Sequence, residues 1–419
     1  MKIRAYCRIP QKKTNTIRSK EGSCPALMYD LFNELEGANE IHIAAYLFNN
    51  PTYFDFLSSL AKKGCKVKIT SLPILGYKDK PLKVEGYTDK VSARQIALEI
   101  YNKINVTRNM QLKIFPHLYV WYGALYADGG ASYSFHVKAV YAKFPNGINK
   151  SIFCSGNFML TDPYHSDNII VFEGSSSYEK TFQAFFKDLE KYSISYKEFD
   201  KKFKGYKEQF LYSFYKKEIN LKKNGFSNCF FTAPFYLYDS LGSNHYAGNR
   251  IIELINNAKK RIWICAQHFH DLISFDTERG TIINALYNKF LSKPKTEFRF
   301  LKQVPHSSLA DKRRAGMAET LFQFVMKAEQ RYNKLVHDKF MIIDDTLLVS
   351  TANYTSTQFA FGKRKMDYKE GDKKYRKEDN FSEVNGFAIL PSCPKTVLKQ
   401  YENHFDLLWN CGQAIEINL

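Results

Sequence analysis

The sequence repeats one arrangement of segments, once in each half of its 419 residues. An amphipathic helix followed by an apolar strand is predicted at 28–48 and again at 251–269. A further helix and strand follow in each half, at 54–70 and at 282–301. Alternating helices and strands predict an open β-sheet covered by helices. A duplication of this length indicates two similar domains packed together and not a solenoid, whose repeats are far shorter.

The predicted fold class is α/β, with two similar domains that each contain a mixed β-sheet flanked by helices. The chain is long enough for two domains of ordinary size, each with its own core. The segment 187–223 is crowded with Lys, Glu, Tyr and Phe, and an Asn-Gly turn follows it. We place the boundary near residue 215, which gives domains 1–215 and 216–419, packed about a pseudo-two-fold axis.

Both halves also carry the same short set of polar residues after their repeated helices and strands. The six residues are His136, Lys138 and Asn157 in the first half and His337, Lys339 and Asn353 in the second. Because side chains alternate along a strand, a histidine and a lysine two residues apart point to the same side. Two such half-sites in one chain predict one composite site at the pseudo-two-fold axis, for which a monomer is sufficient.

These residue types suit displacement at the phosphorus of a phosphodiester. One neutral histidine attacks the phosphorus and forms a phosphohistidine, and the other protonates the leaving oxygen. Lysine ammonium groups and asparagine amides bind the non-bridging oxygens, where negative charge accumulates in the transition state. Since the lysines supply fixed positive charge, the chemistry predicts no metal and no cofactor. The sequence also contains no histidine and carboxylate cluster that suggests a metal site.

Five further residues are predicted to support this chemistry. Each histidine needs an acceptor on its second ring nitrogen, which fixes its tautomer. Asp167 and Glu383, the acids that follow the two motifs, are the candidates, and the sequence leaves open which acid faces which histidine. Ser155 and Thr351 each precede a motif asparagine by two residues, and Asp344 lies five residues beyond the second lysine. We expect these three side chains to support the site.

Taken together, these residues resemble the phospholipase D superfamily over nearly the whole chain. The second copy fits the family pattern His-x-Lys-x4-Asp with Asp344 in place, whereas Lys143 occupies that position in the first copy and Cys154 replaces a family glycine. The resemblance implies a metal-independent phosphodiesterase in which the aspartate of the pattern supports structure more than chemistry. By analogy with two-domain members, His136 is the expected nucleophile and His337 the expected acid and base.

The charge of the chain favours a polyanionic partner. Lys and Arg number 61 against 42 Asp and Glu, which gives a formal charge of +19. Such an excess fits nucleic acid first and an anionic membrane surface second, although an AT-rich genome also produces lysine-rich surfaces. An insertion at 362–379 is either a substrate-contacting segment or a solvated loop, since its acids nearly balance its bases. The substrate-binding candidates are Lys312, Arg313, Arg314, Lys363, Arg364 and Lys365.

The remaining sequence features predict a cytoplasmic protein. The N-terminus lacks the apolar run of a signal peptide, and no stretch is apolar over the roughly 20 residues that span a bilayer. The eight cysteines are scattered and contain no Cys-x-x-Cys pair, which favours reduced thiols over disulfides or zinc. His42 is expected to be a core residue, whereas His268 and His270, at the end of a strand, are open to a substrate role.

We therefore predict a metal-independent hydrolase, a nuclease or endonuclease that acts on DNA or RNA. Two alternatives stay open: a phospholipase D or phosphatidyltransferase acting on phospholipids, and a non-catalytic module that binds polyanions. The sequence shows no amphipathic anchor for the first alternative, and the retention of both motifs disfavours the second. A partner protein is neither indicated nor excluded. The Lys-, Asn- and Phe-rich composition fits a low-GC bacterium or phage, where host defence is one role for such a nuclease.

Overall fold

Two eight-stranded mixed β-sheets, each with helices packed against it, form the framework of the protein in its computed structural model. This architecture confirms the predicted fold class. The residues that the structure describes are 1–12, 18–72, 81–115, 135–160, 162–203, 228–232, 243–272, 280–304, 309–359, 364–370, 373–379 and 384–415.

The first sheet and its helices are formed by the first half of the chain. Its strands are β1 (Lys2–Arg8), β2 (Glu40–Ala45), β3 (Lys66–Ser71), β4 (Met110–Ile114), β5 (Ala139–Lys143), β6 (Lys150–Cys154), β7 (Asp167–Glu173) and β8 (Ile194–Ser195). Its helices are α1 (Pro25–Leu35), α2 (Pro51–Lys62), α3 (Ala93–Val106), α4 (Ser177–Tyr192) and α5 (Tyr196–Phe203). The strand order across the sheet is β1-β7-β6-β5-β2-β3-β4-β8.

The second half of the chain repeats this plan with additional short elements. Its strands are β9 (Cys229–Phe231), β10 (Arg261–Ala266), β11 (Phe269–His270), β12 (Glu297–Lys302), β13 (Glu329–Tyr332), β14 (Lys339–Ile343), β15 (Thr346–Ser350), β16 (Tyr354–Thr355), β17 (Arg364–Glu370), β18 (Lys373–Asp379), β19 (Gly386–Leu390) and β20 (Gln413–Ala414). Its helices are α6 (Ser243–Asn257), α7 (Ile282–Ser292), α8 (Leu309–Thr320), α9 (Ser356–Phe359) and α10 (Lys395–Asn410), and a π-helical turn (Leu321–Val325) continues α8. The second sheet has the order β20-β13-β12-β10-β14-β15-β19-β9.

Equivalent strands of the two sheets pair in the same way. In the first sheet β2 lies parallel to β3 and antiparallel to β5, and in the second β10 lies parallel to β12 and antiparallel to β14. The antiparallel run β5-β6-β7 likewise corresponds to β14-β15-β19. The central strands are nearly continuous apolar runs because helices cover both faces of each sheet. The repeat seen in the sequence is therefore a repeat of topology.

Apolar side chains from both halves form one continuous cluster. Phe185 of α4 stacks on Phe231 of β9, with ring centroids 3.7 Å apart. The Tyr178 hydroxyl donates a hydrogen bond of 2.7 Å to the carbonyl of Ile389. Burial of apolar area at about 25 cal/mol per Å² makes this shared cluster a strong contribution to the association of the halves.

Two predictions about chain organisation meet the structure only in part. The boundary near residue 215 lies outside the described residues, although β8 belongs to the first sheet and β9 to the second. Within the charged insertion, β17 and β18 pair as an antiparallel hairpin.

Among the described helices, none combines the length and the apolar character that a bilayer crossing requires. All eight cysteines are free thiols.

Candidate active site

The two motifs meet where the halves of the chain contact each other. The chain just before β5 pairs with the second half, since the His136 amide donates to the Val384 carbonyl at 3.0 Å. The chain just before β14 pairs with the first half, since the Ser166 amide donates to the Leu335 carbonyl at 2.7 Å. Each motif histidine therefore lies beside residues that belong to the other half.

Asp167 of the first half orients His337 of the second. Its Oδ1 lies 2.7 Å from Nδ1 of His337, and both side chains are buried. The Ser155 hydroxyl donates to the same carboxylate oxygen at 2.8 Å, and the Ser23 hydroxyl donates to the other. Burial raises the pKa of Asp167 to about 6. Of the two predicted acids, Asp167 thus faces the histidine of the opposite motif.

An amide, Asn385, occupies the corresponding position beside His136. Its Oδ1 lies 3.3 Å from Nδ1 of His136 and accepts a hydrogen bond of 3.1 Å from the Thr351 hydroxyl. The Thr351 hydroxyl also accepts a hydrogen bond from the Gly386 amide, and the Ser155 hydroxyl likewise accepts one from the Asn168 amide. The two supporting hydroxyls therefore play matching roles.

The contact between Asn385 and His136 was missed in the sequence, and Glu383, the second predicted acid, lies outside the described residues. The sequence did contain a signal that could have identified Asn385. Asp167 and Asn385 each stand immediately before or at the start of the last apolar strand of their half. The charged insertion obscures this equivalence, because it changes the number of residues between motif asparagine and final strand.

The two motif lysines are completely buried beside the histidines. The ammonium group of Lys138 donates to the carbonyl of His136 at 2.7 Å, and that of Lys339 donates to the carbonyl of His337. Burial lowers the pKa of Lys339 to about 8. Burial and both lysines also hold the pKa of each histidine well below its usual range. An anionic phosphate entering the site would offset this positive charge.

Each motif asparagine lies just beyond a strand that pairs with β5 or β14: Asn157 follows β6, and Asn353 follows β15. Asn157 donates from Nδ2 to Oδ2 of Asp162 at 2.8 Å, and burial raises the pKa of Asp162 to about 6. Asn353 is buried just before β16, and its backbone amide donates to Gln358 at 2.5 Å. The histidines and lysines of the two motifs are close enough to influence one another's charge.

A third histidine lies against the site. The ring of His165 stacks on that of His337, with centroids 5.2 Å apart and planes 16° from parallel. Its side chain is 6% exposed, and burial holds its pKa well below the usual range. Nothing in the sequence around His165 distinguishes it from an ordinary buried residue.

Asp338 lies between His337 and Lys339 and connects the halves through a buried polar network. Its carboxylate accepts hydrogen bonds of 2.6 Å from Ser166 and 2.6 Å from Asn168, and lies 3.0 Å from Nε2 of His404. Burial alone would raise the pKa of Asp338, but His404 and these hydrogen bonds hold it below its usual value. Ser166 and Asn168 flank Asp167 on the same strand segment, so this network fixes the acid relative to His337.

Asp344, the aspartate of the family pattern, lies at the far end of β14 and accepts hydrogen bonds from backbone amides. Its carboxylate accepts the amides of Lys259 and Lys260 at 2.7 Å each and that of Arg261 at 3.1 Å. Lys143 stands at the equivalent place in the first half and pairs with Glu40 at 3.0 Å. The departure from the pattern in the first copy therefore falls on a structural contact.

Replacing Asp344 with alanine should lower the free energy of unfolding by about 2 kcal/mol, because three backbone donors lose a charged acceptor. Its position also has a positive φ of 52°, which alanine tolerates poorly. Urea denaturation measures the loss. Lys143→Ala, which removes a partly exposed pair, is the matched control and should cost less than about 1 kcal/mol. A larger effect at Lys143 would contradict this assignment.

The remaining candidates occupy different settings. Lys312 and Arg313 are exposed on α8, and Arg314 is partly buried. Lys363 lies outside the described residues, whereas Arg364 and Lys365 belong to β17. His270 lies on β11, which pairs with β16 beside Asn353, and His268 contributes to lowering the pKa of His337. His42 is buried against Glu40, as expected of a core residue.

Comparison with solved structures shows which class of fold this is. The chain is similar to phosphatidylserine synthase from Haemophilus influenzae Rd KW20, with a TM-score of 0.51, 12% identity, and coverage of 93% of this chain and 85% of that one. The comparison with polyphosphate kinase from Porphyromonas gingivalis has a TM-score of 0.48 and a sequence identity of 11%, and it covers 91% of this chain but only 44% of the kinase. The comparison with yeast tyrosyl-DNA phosphodiesterase has a TM-score of 0.46 and a sequence identity of 11%, and it covers 86% of each chain.

A family model matches part of the second half of the sequence. Residues 251–367 match the family model described as the phospholipase D-like domain of cardiolipin synthase. Among curated proteins, no sequence matches this chain. Residues 251–367 are therefore similar to a phospholipase D-like domain, and the fold of the chain as a whole is similar to that of the phosphatidylserine synthase.

Proposed function

We propose that the protein is a metal-independent nuclease that cleaves phosphodiester bonds of nucleic acids through a covalent phosphohistidine. The observation that carries the proposal is the pair of buried His–Lys motifs joined across the halves of the chain. Nδ1 of each histidine is held by a partner, Asn385 for His136 and Asp167 for His337. In the proposed mechanism, Nε2 of each ring is the nitrogen that reacts with substrate.

The chemistry proceeds in two displacements at one phosphorus atom. Nε2 of one histidine forms a bond to phosphorus while the bond to the leaving oxygen breaks, and the second histidine gives that oxygen its proton. The second histidine then removes a proton from water, which attacks the phosphorus and releases the first. Lys138 and Lys339 supply positive charge to the non-bridging oxygens in a region that water barely enters. Metal independence is proposed on the ground of these two lysines.

The charge of the protein supports nucleic acid as the substrate. A formal charge of +19 attracts a polyanion over long distances, and exposed Lys312 and Arg313 offer contacts to phosphates. Contacts of this kind position a nucleic acid without reading its sequence. The proposal therefore extends to DNA and RNA alike.

A second candidate function, action on phospholipids, is favoured by one surface feature. Met317 of α8 and Phe324 and Val325 of the π-helical turn are 60%, 41% and 44% exposed. Helical spacing places these three apolar side chains near one another, with basic residues at the start of the same helix. Apolar and basic groups on one helix suit the surface of an anionic membrane.

One experiment separates the two candidates. The purified protein is incubated in excess EDTA with labelled single- and double-stranded DNA, the same forms of RNA, and vesicles of anionic phospholipid. Cleavage of a nucleic acid with no release of lipid headgroup is the expected result. Headgroup release without nucleic-acid cleavage would favour the second candidate, and cleavage that EDTA abolishes would contradict the metal-independent mechanism.

Nuclease activity is expected to fall as the pH drops through about 6. Burial raises the pKa of Asp167 to about 6, so its carboxylate is ionised above that pH and protonated below it. Only the ionised form supports positive charge on His337, and activity should therefore rise with pH through this range. A pH–rate profile measures this rise in activity. Asp167→Asn removes the titrating group, and a rise that persists near pH 6 in this variant would contradict the assignment of the titration to Asp167.

A further inference from the structure

We propose that Arg18 binds the phosphate that lies next to the scissile phosphate in a nucleic-acid substrate. Arg18 belongs to the first half of the chain and was not among the substrate-binding residues predicted from the sequence. The inference rests on the proposed nuclease function and deepens it, because it names a subsite for a second backbone phosphate beside the motifs.

The backbone around Arg18 is held on two sides. On one side, the Arg18 carbonyl accepts a hydrogen bond of 2.9 Å from the Glu85 amide. On the other side, Arg18 forms an isolated antiparallel β-bridge with Pro163. The next residue, Ser19, donates its amide to the Asp162 carbonyl at 3.4 Å. These contacts give Arg18 a fixed place beside the segment that follows the first motif.

The segment beside Arg18 contains two side chains that contact the motifs. Asp162 accepts a hydrogen bond of 2.8 Å from Nδ2 of the motif residue Asn157. The ring of His165 stacks on that of the motif residue His337, with centroids 5.2 Å apart. The bridge partner of Arg18 stands between Asp162 and His165 in the chain. Arg18 therefore lies next to residues that contact both motifs.

The charge of Arg18 acts on both of these side chains. Burial has the largest part in lowering the pKa of His165, and Arg18 is one of the positive groups that lower it further. Burial raises the pKa of Asp162 to about 6, and the hydrogen bond from Asn157 and the charge of Arg18 oppose this rise. Because electrostatic effects decline with distance, the guanidinium itself lies close to both side chains.

The guanidinium of Arg18 is half-buried, and the described residues compensate its charge only in part. Among them, none forms a hydrogen bond or an ion pair with this group. Burial lowers the pKa of Arg18, and Asp162 acts in the opposite direction through its charge alone. Arginine nevertheless keeps its proton at physiological pH. A partly desolvated cation without an ion pair raises the free energy of the protein, and a bound anion would relieve this.

The chemistry and position of Arg18 favour a backbone phosphate as that anion. A guanidinium presents parallel N–H donors that match two phosphate oxygens. The motif lysines, Lys138 and Lys339, are completely buried and are the proposed ligands of the scissile phosphate. Arg18 is more exposed than either lysine, which suits the next phosphate of a backbone that leaves the site.

A structural role for Arg18, as the counter-charge of Asp162, is the alternative that has to be separated from substrate binding. Arg18→Met removes the charge and keeps an unbranched apolar stem. If Arg18 only balanced Asp162, this variant would have a lower Tm than the wild type. A substrate-binding cation that lacks an ion pair predicts an equal or higher Tm, as is common for residues kept for function at the expense of stability.

Two substrates separate the subsite from the catalytic centre. The p-nitrophenyl phosphodiester of a nucleoside has one phosphate, whereas a short oligonucleotide of the same base has several. Wild type, Arg18→Met and Arg108→Met are compared on both substrates in excess EDTA. Arg108 is the matched control, because it is an exposed arginine just before β4, at the end of the parallel strands that lies away from the motifs.

Arg18→Met should raise KM for the oligonucleotide by at least about 10-fold with kcat little changed, since a charge-assisted hydrogen bond to substrate is lost. Its KM for the one-phosphate substrate should change far less, and Arg108→Met should match the wild type on both. An unchanged KM for the oligonucleotide would overturn the subsite. Equal losses on the two substrates would overturn its assignment to a second phosphate. A wild-type protein that cleaves neither substrate would overturn the proposed function itself.

The salt dependence of binding is an independent test. Oligonucleotide affinity is measured by fluorescence anisotropy in the His136→Ala background, so that the ligand stays intact. Arg18→Met should reduce the slope of log affinity against log salt concentration by about one, the value expected for one lost phosphate contact. Arg18→Lys should keep the slope but bind more weakly, because an ammonium group lacks the planar fork. An unreduced slope in Arg18→Met would overturn the phosphate contact.

Discussion

Alanine in place of either His136 or His337 should lower kcat on DNA or RNA by at least about 10⁴-fold. A nucleoside leaving group needs both a nucleophile and a proton donor, and in the proposed mechanism each residue supplies one of them. Both rings are buried and held through Nδ1, so water is poorly placed to substitute for either. The loss is measured as single-turnover cleavage of a labelled oligonucleotide.

The double variant distinguishes one composite site from two independent ones. Residues that act in a single reaction give losses that do not add, so the double variant should be about as inactive as either single one. His42→Ala serves as the control, because His42 pairs with Glu40 away from the motifs. Two half-sites that work separately would instead leave substantial activity in each single variant, and that result would refute the composite site.

Replacing Asp338 with alanine should lower the free energy of unfolding by about 3–5 kcal/mol, the usual loss when one partner of a buried charged network is removed. Three side chains, Ser166, Asn168 and His404, direct hydrogen bonds or charge at its carboxylate. All three are buried and have little access to replacement water. Urea denaturation followed by circular dichroism measures the change.

The first half of the chain provides the reference for this prediction. Val137 occupies the position that corresponds to Asp338, and its apolar side chain cannot form such a network. Val137→Ala removes only two methyl groups and should cost about 1–2 kcal/mol, less than Asp338→Ala. Equal losses in the two variants would show that packing, and not the polar network, sets the stability at these positions.

The asymmetry of the half-sites extends beyond the histidine partners. The first half has Lys143 where the second has Asp344, and Val137 where the second has Asp338. Each second-half residue makes several hydrogen bonds that its first-half counterpart does not reproduce. The two halves therefore share the six motif residues but differ in the contacts made by the residues next to them.

Much of the architecture was predictable from local patterns in the sequence. Amphipathic spacing in segments such as 251–257 and apolar runs such as 261–266 indicate helix and strand directly. Their recurrence in the first half gives the two-domain α/β fold, and alternation along a strand places each motif lysine on the side of its histidine. These features were predictable because the forces that produce them act between residues close together in the chain.

The arrangement of partners in the site depends on contacts between residues far apart in sequence. Asp167 lies 170 positions from His337, and Asn385 lies 249 positions from His136, so no local pattern links them. The sequence offered Asp167 and Glu383 as acids without assigning either to a histidine, whereas the register of β19 with its neighbours brings Asn385 to His136. The stacking of His165 was likewise invisible in the sequence.

The sequence by itself determined the fold class, the duplication and the positions of the six motif residues. Only the tertiary structure decided that each histidine is oriented from the opposite half, that one partner is a carboxylate and the other an amide, and that Asp338 joins the halves. The physical reason is that periodicity specifies which face of an element is buried, whereas the packing of two domains and the pairing of distant strands select the neighbour that each buried polar group meets.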